Sequence, residues 1–412
     1  MPFMRSLCVL LLMCSVVSAG DWPQWLGPKR DGSTSETIAP WKGRLKVSWK
    51  QSVGEGHSSP VVADGVVYLH YKAKNAEKEV LDAYDAKSGK RLWTANYTRP
   101  QYKGLFGNGP RATPSVAGNR VYTYGPTGIL ACFSAKKKRL LWKVDTIAQF
   151  QAPKLKFGAS CSPLVTGGKV LINVGAKNAS VVAFDAKTGD VVWKSQSDGA
   201  SYASPILVGK GKKQQAIFFT GKGLIGLAPK DGTLYWRYSF RDFLNESSVT
   251  PVLVNDILVA SAITRGGVGL KLDLDGKKSK ATKKWGNVKL TGYFATPVPV
   301  GKYLYLVTGA NPLAFKLTPE ATLRCVNPKT GAELWNTPKV GKYHASLMRT
   351  GNNKLLLLEE QGHLVMLDPN PKGYTEICRS RICGKTWAHV AIADGRLFIR
   401  DGAELRCIAL PK

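Results

Sequence analysis

One phrase recurs through this chain. AYDAKSGKRLW at 83–93, AFDAKTGDVVW at 183–193 and CVNPKTGAELW at 325–335 share a register that places tryptophans at Trp93, Trp142, Trp193, Trp236, Trp285 and Trp335, spaced by 49, 51, 43, 49 and 50 residues. A unit of that length, made of short strands, cannot bury its apolar face alone and stacks on its neighbours around a ring, which is a propeller. In the third unit SPLVTGGKVLINVG reads as a strand, a glycine turn and a second strand, SVVAFDA as the third and VVWKS as the fourth.

Each first strand opens alike: SSPVV at 58–62, ATPSV at 112–116, CSPLV at 161–165, ASPIL at 203–207, VTPVL at 249–253 and ATPVP at 295–299. Two weaker copies follow, HASLM at 344–348 and AHVAI at 388–392. These phrases count eight blades. The eighth unit runs out after ELRCIAL at 404–410, and KVSWK at 46–50, carrying Trp49, is the candidate for its missing fourth strand. Joining both ends in one blade closes the ring and removes a long unpaired edge. The expected fold is all-β: one eight-bladed β-propeller of four-stranded blades over 20–412, closed by the N-terminal strand. Unit five stretches its last turn into DGKKSKATKKW, and unit seven has Ile377 near the place of the tryptophan.

Residues 1–19 follow another pattern. Arg5, the apolar run Leu7 to Val17 and the small residues Ser18, Ala19 and Gly20 have the layout of a cleaved signal peptide. The run is too short to span a bilayer, and no other stretch approaches 18 apolar residues, so no transmembrane segment is expected. Cys8 and Cys14 lack the small residues that precede a lipidated cysteine. A periplasmic or secreted protein is therefore expected. In an oxidising compartment Cys378 and Cys383 are close enough in sequence to bridge. Cys132, Cys325 and Cys407 fill the slot of Ala83 and Ala183 and read, with Cys161, as packing.

The net charge of +31 predicts attraction to anionic surfaces. Lys136, Lys137, Lys138 and Arg139, together with Lys277–Lys284, fall in third-to-fourth strand turns, and Lys210, Lys212 and Lys213 in a first-to-second strand turn. Propeller geometry puts both turn types on the face opposite the funnel mouth. That face reads either as solvated charge that aids solubility or as a docking surface for anionic lipid or an anionic polymer, and export argues against nucleic acid as a partner.

The pattern A-x-D-x-x-x-G-x-x-x-W, complete at Ala83, Asp85, Gly89 and Trp93 and again at Ala183, Asp185, Gly189 and Trp193, resembles the tryptophan-docking motif of pyrroloquinoline-quinone (PQQ) repeat propellers. DWPQWLGPKRDG at 21–32, GPRATPSV at 109–116 and the closing GRLFIRDGAELRCIAL resemble the PQQ-binding-like secreted propellers of planctomycete-type bacteria, and the fold is similar to that of BamB, a lipoprotein of outer-membrane assembly. The resemblance implies that Trp49, Trp93, Trp142, Trp193, Trp236, Trp285 and Trp335 dock each blade on the next, each ring burying enough area for several kcal/mol. It also brings in the quinoprotein dehydrogenases, which oxidise alcohols or sugars with PQQ and calcium. Those carry adjacent cysteines over the cofactor, a calcium held by Glu, Asn and Asp, a catalytic Asp and a Trp beneath the quinone. In this chain no two cysteines adjoin, Asp85, Asp185 and Asp368 sit at the repeat's turn, and no Glu, Asn and Asp set matches the calcium pattern. A monomeric binding or scaffolding module with an envelope protein as partner is the favoured expectation, with the dehydrogenase second. No catalytic residue, metal ligand or cofactor is assigned.

GKGLIG at 221–226 matches G-x-G-x-x-G, but it leads into another strand and turn and reads as a hairpin. Function is sought where the copies disagree. The residue three before the Pro of each opening phrase faces the mouth of the channel: His57, Arg111, Ser160, Tyr202, Ser248, Phe294, Tyr343 and Trp387. Its aromatic, histidine and arginine members (His57, Arg111, Tyr202, Phe294, Tyr343, Trp387) suit a planar or anionic ligand or a partner's peptide loop; the bland alternative is that they plug the channel. His57, His344 and His389 start neighbouring units but have no zinc spacing, and strand alternation turns Tyr343 and His344 to opposite sides.

Overall fold

A computed structural model describes residues 20–309 and 320–411. The expected signal at 1–19 lies outside the described residues, as does Lys412. Eight separate four-stranded antiparallel sheets make up the fold, each strand paired to the next in chain order in seven of them. Blade three is typical: Leu164–Thr166, Lys169–Ala176, Ala179–Asp185 and Val191–Ser195. Blade eight alone mixes the ends, its outer strand Val47–Ser52 pairing with Glu404–Ala409 beside Arg396–Arg400 and Ala391–Ala393. The eight-bladed, end-closed ring is thus as the repeat count requires. GKGLIG spans the hairpin between Gln215–Thr220 and Gly223–Leu227.

Pairing register explains the small residues. Opposite Trp93, Trp142, Trp193, Trp236, Trp285, Trp335 and Trp49 stand Ala83, Cys132, Ala183, Gly226, Gly269, Cys325 and Cys407. The indoles fold over these partners so closely that a Cβ at Gly226 or Gly269 would lie 2.3 or 2.1 Å from the tryptophan Nε1. In blade seven it is Cys378, not Ile377, that takes the tryptophan's register, opposite Met366. All six described cysteines are free. Cys378 is committed to that register, and Cys383 is buried beyond the strand's end, where loss of solvent pushes its thiol up to about 12 and makes it inert.

The indoles reach the turn of the following blade. Nε1–H of Trp49, Trp193, Trp285 and Trp335 donates to the carbonyls of Ala86, Pro229, Pro328 and Asn370 at 3.0, 3.2, 2.8 and 2.7 Å. The turn glycine lies flat beneath the ring: a Cβ at Gly89, Gly189, Gly232 or Gly331 would stand 2.5, 2.8, 2.6 or 2.4 Å from the indole of Trp49, Trp142, Trp193 or Trp285. All four glycines have φ between 69° and 83°, which a side chain also disfavours. Asp85 and Asp185 shape these turns by accepting backbone N–H bonds from Ser88 and from Lys187 and Thr188. Trp236 departs from the rule, because blade five presents the 3-10 turn Gly276–Lys278, whose glycine does not lie against the indole. Trp236 Nε1–H donates at 2.7 Å to Gln215, whose amide reaches Ser279 of blade five at 2.6 Å, so a side chain bridges the two blades.

Residues 21–41 belong to no blade and cross the inside of the ring. Trp22 exchanges two 2.9 Å backbone bonds with Val62 of blade one, and Val116 N–H of blade two donates to Pro23. Arg30 donates to the carbonyls of Ser162 and Pro163 in blade three at 3.1 and 3.0 Å, and Trp25 Nε1–H to Thr250 Oγ1 in blade five at 2.9 Å. Ser33 bridges Arg349 of blade seven. With the Gly395 N–H of blade eight donating to Glu36, one segment floors the channel and ties six blades.

Candidate functional site

The Ser or Thr before the Pro of each opening phrase builds the wall of the channel. Ser59 N–H donates to Thr113 Oγ1, Thr113 N–H to Ser162 Oγ, Ser162 N–H to Ser204 Oγ, Thr250 N–H to Thr296 Oγ1 and His389 N–H to Ser59 Oγ, at 3.3, 3.0, 3.0, 3.3 and 2.9 Å. Each hydroxyl satisfies an amide of the preceding blade that the short first strand leaves unpaired. A hydroxyl belt results, and it fixes the level at which the next residues toward the mouth project.

Above the belt, seven of the eight variable-column residues line one cavity: His57, Arg111, Ser160, Tyr202, Ser248, Phe294 and Trp387. Tyr343 stands at its edge, ring on edge to Trp387 with centroids 6.3 Å apart. The cavity measures about 120 Å³. Trp387 is packed on two sides, stacked with His57 at 5.2 Å and with Phe294 at 5.2 Å, and its Nε1–H donates to Glu360 at 3.1 Å. The rings of blades one, six and eight therefore pack on one another, and Arg111, Tyr202 and Ser248 complete the lining.

Several lining residues fall outside the column. Trp25, from the crossing segment, forms the floor and meets His389 edge-on at 4.5 Å. Phe106, from the glycine-rich connection after blade one, covers the side; its carbonyl accepts from His57 Nε2–H at 2.8 Å, and its ring packs on Trp387 and Phe157 at 5.4 and 5.6 Å. Tyr293 and Glu246 complete the far wall, the tyrosine hydroxyl donating to Glu246 Oε2 at 3.0 Å with Lys156 Nζ 3.6 Å from the same carboxylate. In sequence Phe106 is marked only by a long KGLFGNG loop, and Trp25 only by a tryptophan-rich stretch ahead of the first strand.

Strand alternation does not govern this level. His344 lines the cavity while Tyr343 beside it reaches Trp387, and both Tyr293 and Phe294 line the cavity, because these residues precede the strands that begin at Ala345 and Val298. Tyr343 and His344 do not both line the cavity, as expected, but the one that does is His344, with Tyr343 at the edge.

His57, His344 and His389 all line the cavity. Burial holds His57 and His344 down to about 4 and His389 well below the usual range; Arg111, Arg400 and Lys385 add to the effect on His57. The three are neutral at physiological pH. Among the described residues, no three His, Cys, Asp or Glu side chains gather closely enough to hold a metal ion.

PQQ is a fused three-ring quinone with three carboxylates. The cavity is about the size that takes a single benzene ring. Glu246 is the one carboxylate in its lining, already engaged by Tyr293 and Lys156, and Arg111 the one fixed cation. These residues do not fit the cofactor with its calcium, and no step is derived through it.

Among the expected basic turns, Lys136 to Arg139 are exposed, and the turns Gly211–Lys213 and Gly276–Lys278 adjoin, a Cβ at Gly276 lying 3.6 Å from the Lys212 carbonyl. The mouth is basic too: Lys103, Lys154, Lys156, Lys222, Arg241, Arg265, Lys289, Lys342 and Lys385 are exposed on its loops. Asp198, Asp242, Glu246 and Glu360 on those loops are buried.

A family model described as outer membrane protein assembly factor BamB matches residues 44–101 and 76–337. Outer membrane protein assembly factor BamB of Yersinia pestis is 26% identical over 219 residues, 52% of this chain and 51% of that protein. The dehydrogenase subunit of a quinone alcohol dehydrogenase from Komagataeibacter europaeus is 30% identical over 168 residues, 37% of this chain and 21% of that protein. The chain thus matches about half of the first relative's length and about a fifth of the second's. The crystal structure of the quinohemoprotein alcohol dehydrogenase from Comamonas testosteroni superposes with a TM-score of 0.68 at 14% identity, covering 94% of this chain and 80% of that one, a likeness of fold. No helix among the described residues is long and apolar enough to cross a membrane.

Proposed function

This chain belongs to the PQQ-repeat family of outer membrane protein assembly factor BamB, and on that premise we propose that it is a binding or scaffolding module of the cell envelope that captures a ligand or partner protein at its funnel mouth. One observation carries the reading: the positions where the repeats disagree converge on a single aromatic cavity that holds one arginine and no set of metal-binding acids. Residues 1–19 act as its export signal and 20–412 as one domain, working as a monomer in the periplasm or outside the cell. The basic turns around Lys136 and Lys212 face an anionic lipid or polymer. The family's named roles in outer-membrane assembly and alcohol oxidation belong to relatives that this chain matches only in part.

Purified protein titrated with PQQ and calcium, followed by quinone absorbance and alcohol-dependent dye reduction, is expected to show neither stoichiometric binding nor turnover; both together would establish the dehydrogenase instead. Arg111→Gln is expected to weaken partner capture while leaving the melting temperature within about 1 °C, since its bonds go only to its own loop at Gly107 and Gly109. Unfolding of that variant would mark the column as a plug.

A further inference from the structure

The cavity has two polar ends. At the start of blade two, Arg111 gives Nη1–H to the Gly109 carbonyl at 2.8 Å and Nη2–H to the Gly107 carbonyl at 3.0 Å, and its guanidinium lies 5.6 Å from the centre of the Tyr102 ring. Among the described residues no carboxylate lies within 4.0 Å of it. Two more N–H groups and Nε remain, so a half-buried cation stands beside a largely apolar wall without a counter-ion and with donors free for an anion. Arg400 of blade eight is fully buried, with two carbonyl partners and Nη1 unsatisfied.

Three blades round the ring, at the start of blade five, Glu246 is buried in the opposite wall. It accepts the Tyr293 hydroxyl and has Lys156 nearby, which leaves acceptor sites on its two oxygens. Between the two ends the walls are aromatic: Phe157, Tyr202, Phe294 and Trp387. The space of about 120 Å³ matches one six-membered ring.

We propose that the mouth binds a single aromatic ring carrying a carboxylate at one end and a hydroxyl at the other, the carboxylate against Arg111, the ring beside Trp387 and Tyr202, and the hydroxyl donating to Glu246. The proposal rests on the reading of the mouth as the binding site. A free hydroxyaryl acid and a protein ending in tyrosine both carry this chemistry.

Calorimetric titration of the full chain with 4-hydroxyphenylacetate, its uncharged amide, phenylacetate and a short peptide ending in tyrosine separates the sources and the ends. The hydroxyacid is expected to bind at least about tenfold more tightly than the amide and about fivefold more tightly than phenylacetate. Arg111→Gln is expected to erase the preference over the amide and Glu246→Gln the preference over phenylacetate, each leaving the other intact. Tighter binding by the peptide than by the free acid assigns the site to a protein terminus and supports the same chemistry. Equal binding of acid and amide, with the ring still bound, overturns the two-ended ligand but leaves the mouth as a binding site. No binding of any compound, either to this protein or to a Trp387→Ala variant with an opened mouth, overturns both.

Discussion

At the outer turns, Gly89, Gly189, Gly232 and Gly331 lie against neighbouring indoles with the same positive φ and nearly the same clearance. At the channel mouth, the equivalent positions of the same repeats hold a histidine, an arginine, two serines, a phenylalanine, two tyrosines and a tryptophan. These four turns repeat because they solve one packing problem, the fit of a flat ring onto bare backbone. The mouth varies because no two blades there share a task. The hydroxyl belt lies between the two and repeats in most blades, so the variable residues stand on a regular frame.

The contrast breaks first at the turns. Gly189→Val is expected to cost about 3 kcal/mol or more through positive φ and collision with Trp142, whereas Ser248→Val at the mouth should stay within about 0.5 kcal/mol; denaturant midpoints check both, and similar losses would dissolve the distinction. The mouth's own stability cost lies in its histidines. In the unfolded chain histidine protonates near 6.5, while His57 and His344 in the fold hold off to about 4, chiefly through burial. Between those values the unfolded state binds more protons, so stability falls as pH drops from about 6.5 toward 4, by up to about 1.4 kcal/mol per pH unit for each histidine. Melting temperatures across that range are expected to fall, and His344→Gln to flatten the slope. A flat profile in the parent protein would mean that these histidines are already charged.

A smaller effect tests the floor. Trp25→Phe keeps the ring against His389 but loses the bond to Thr250, for an expected cost of about 1 kcal/mol by chemical denaturation. The smallest change in stability is expected from Lys136→Glu, Lys137→Glu and Lys138→Glu combined, within about 0.5 kcal/mol, because these side chains are exposed. That variant should nonetheless lose salt-dependent binding to anionic liposomes. Retained binding would move the anionic contact to the rim, where Lys156 and Lys385 stand.

Blade count, strand order and ring closure were readable because tryptophan spacing and the opening phrases carry a long period that chance rarely produces. The shared slot of Ala83, Ala183, Cys132, Cys325 and Cys407 was readable for the same reason, but Gly226 and Gly269 opposite Trp236 and Trp285 were not read as its members. Ile377 misled because the register through the turn in blade seven is set by Asp368 pairing with Thr375, and spacing alone does not carry that. The mouth was half readable. His57, Arg111, Tyr202, Phe294 and Trp387 follow from the repeat, but Trp25, Phe106, Phe157 and Glu246 come from connections with no repeat to align. Alternation failed at Tyr293 and Phe294, which both line the cavity, because they stand before the strand, where a backbone without ladder bonds need not alternate.

Blade eight also sets a clock. Seven sheets can close as soon as their own strands exist, but Val47–Ser52 waits for Glu404–Ala409 before it has a partner. Until then the disc is a horseshoe with two raw strand edges, and Trp49 has no Cys407 to cover. A break between Arg400 and Glu404 would leave the whole ring unlatched, whereas cutting between two blades and splicing the old ends should preserve it. What looks in space like one blade among eight is, in time, the latch.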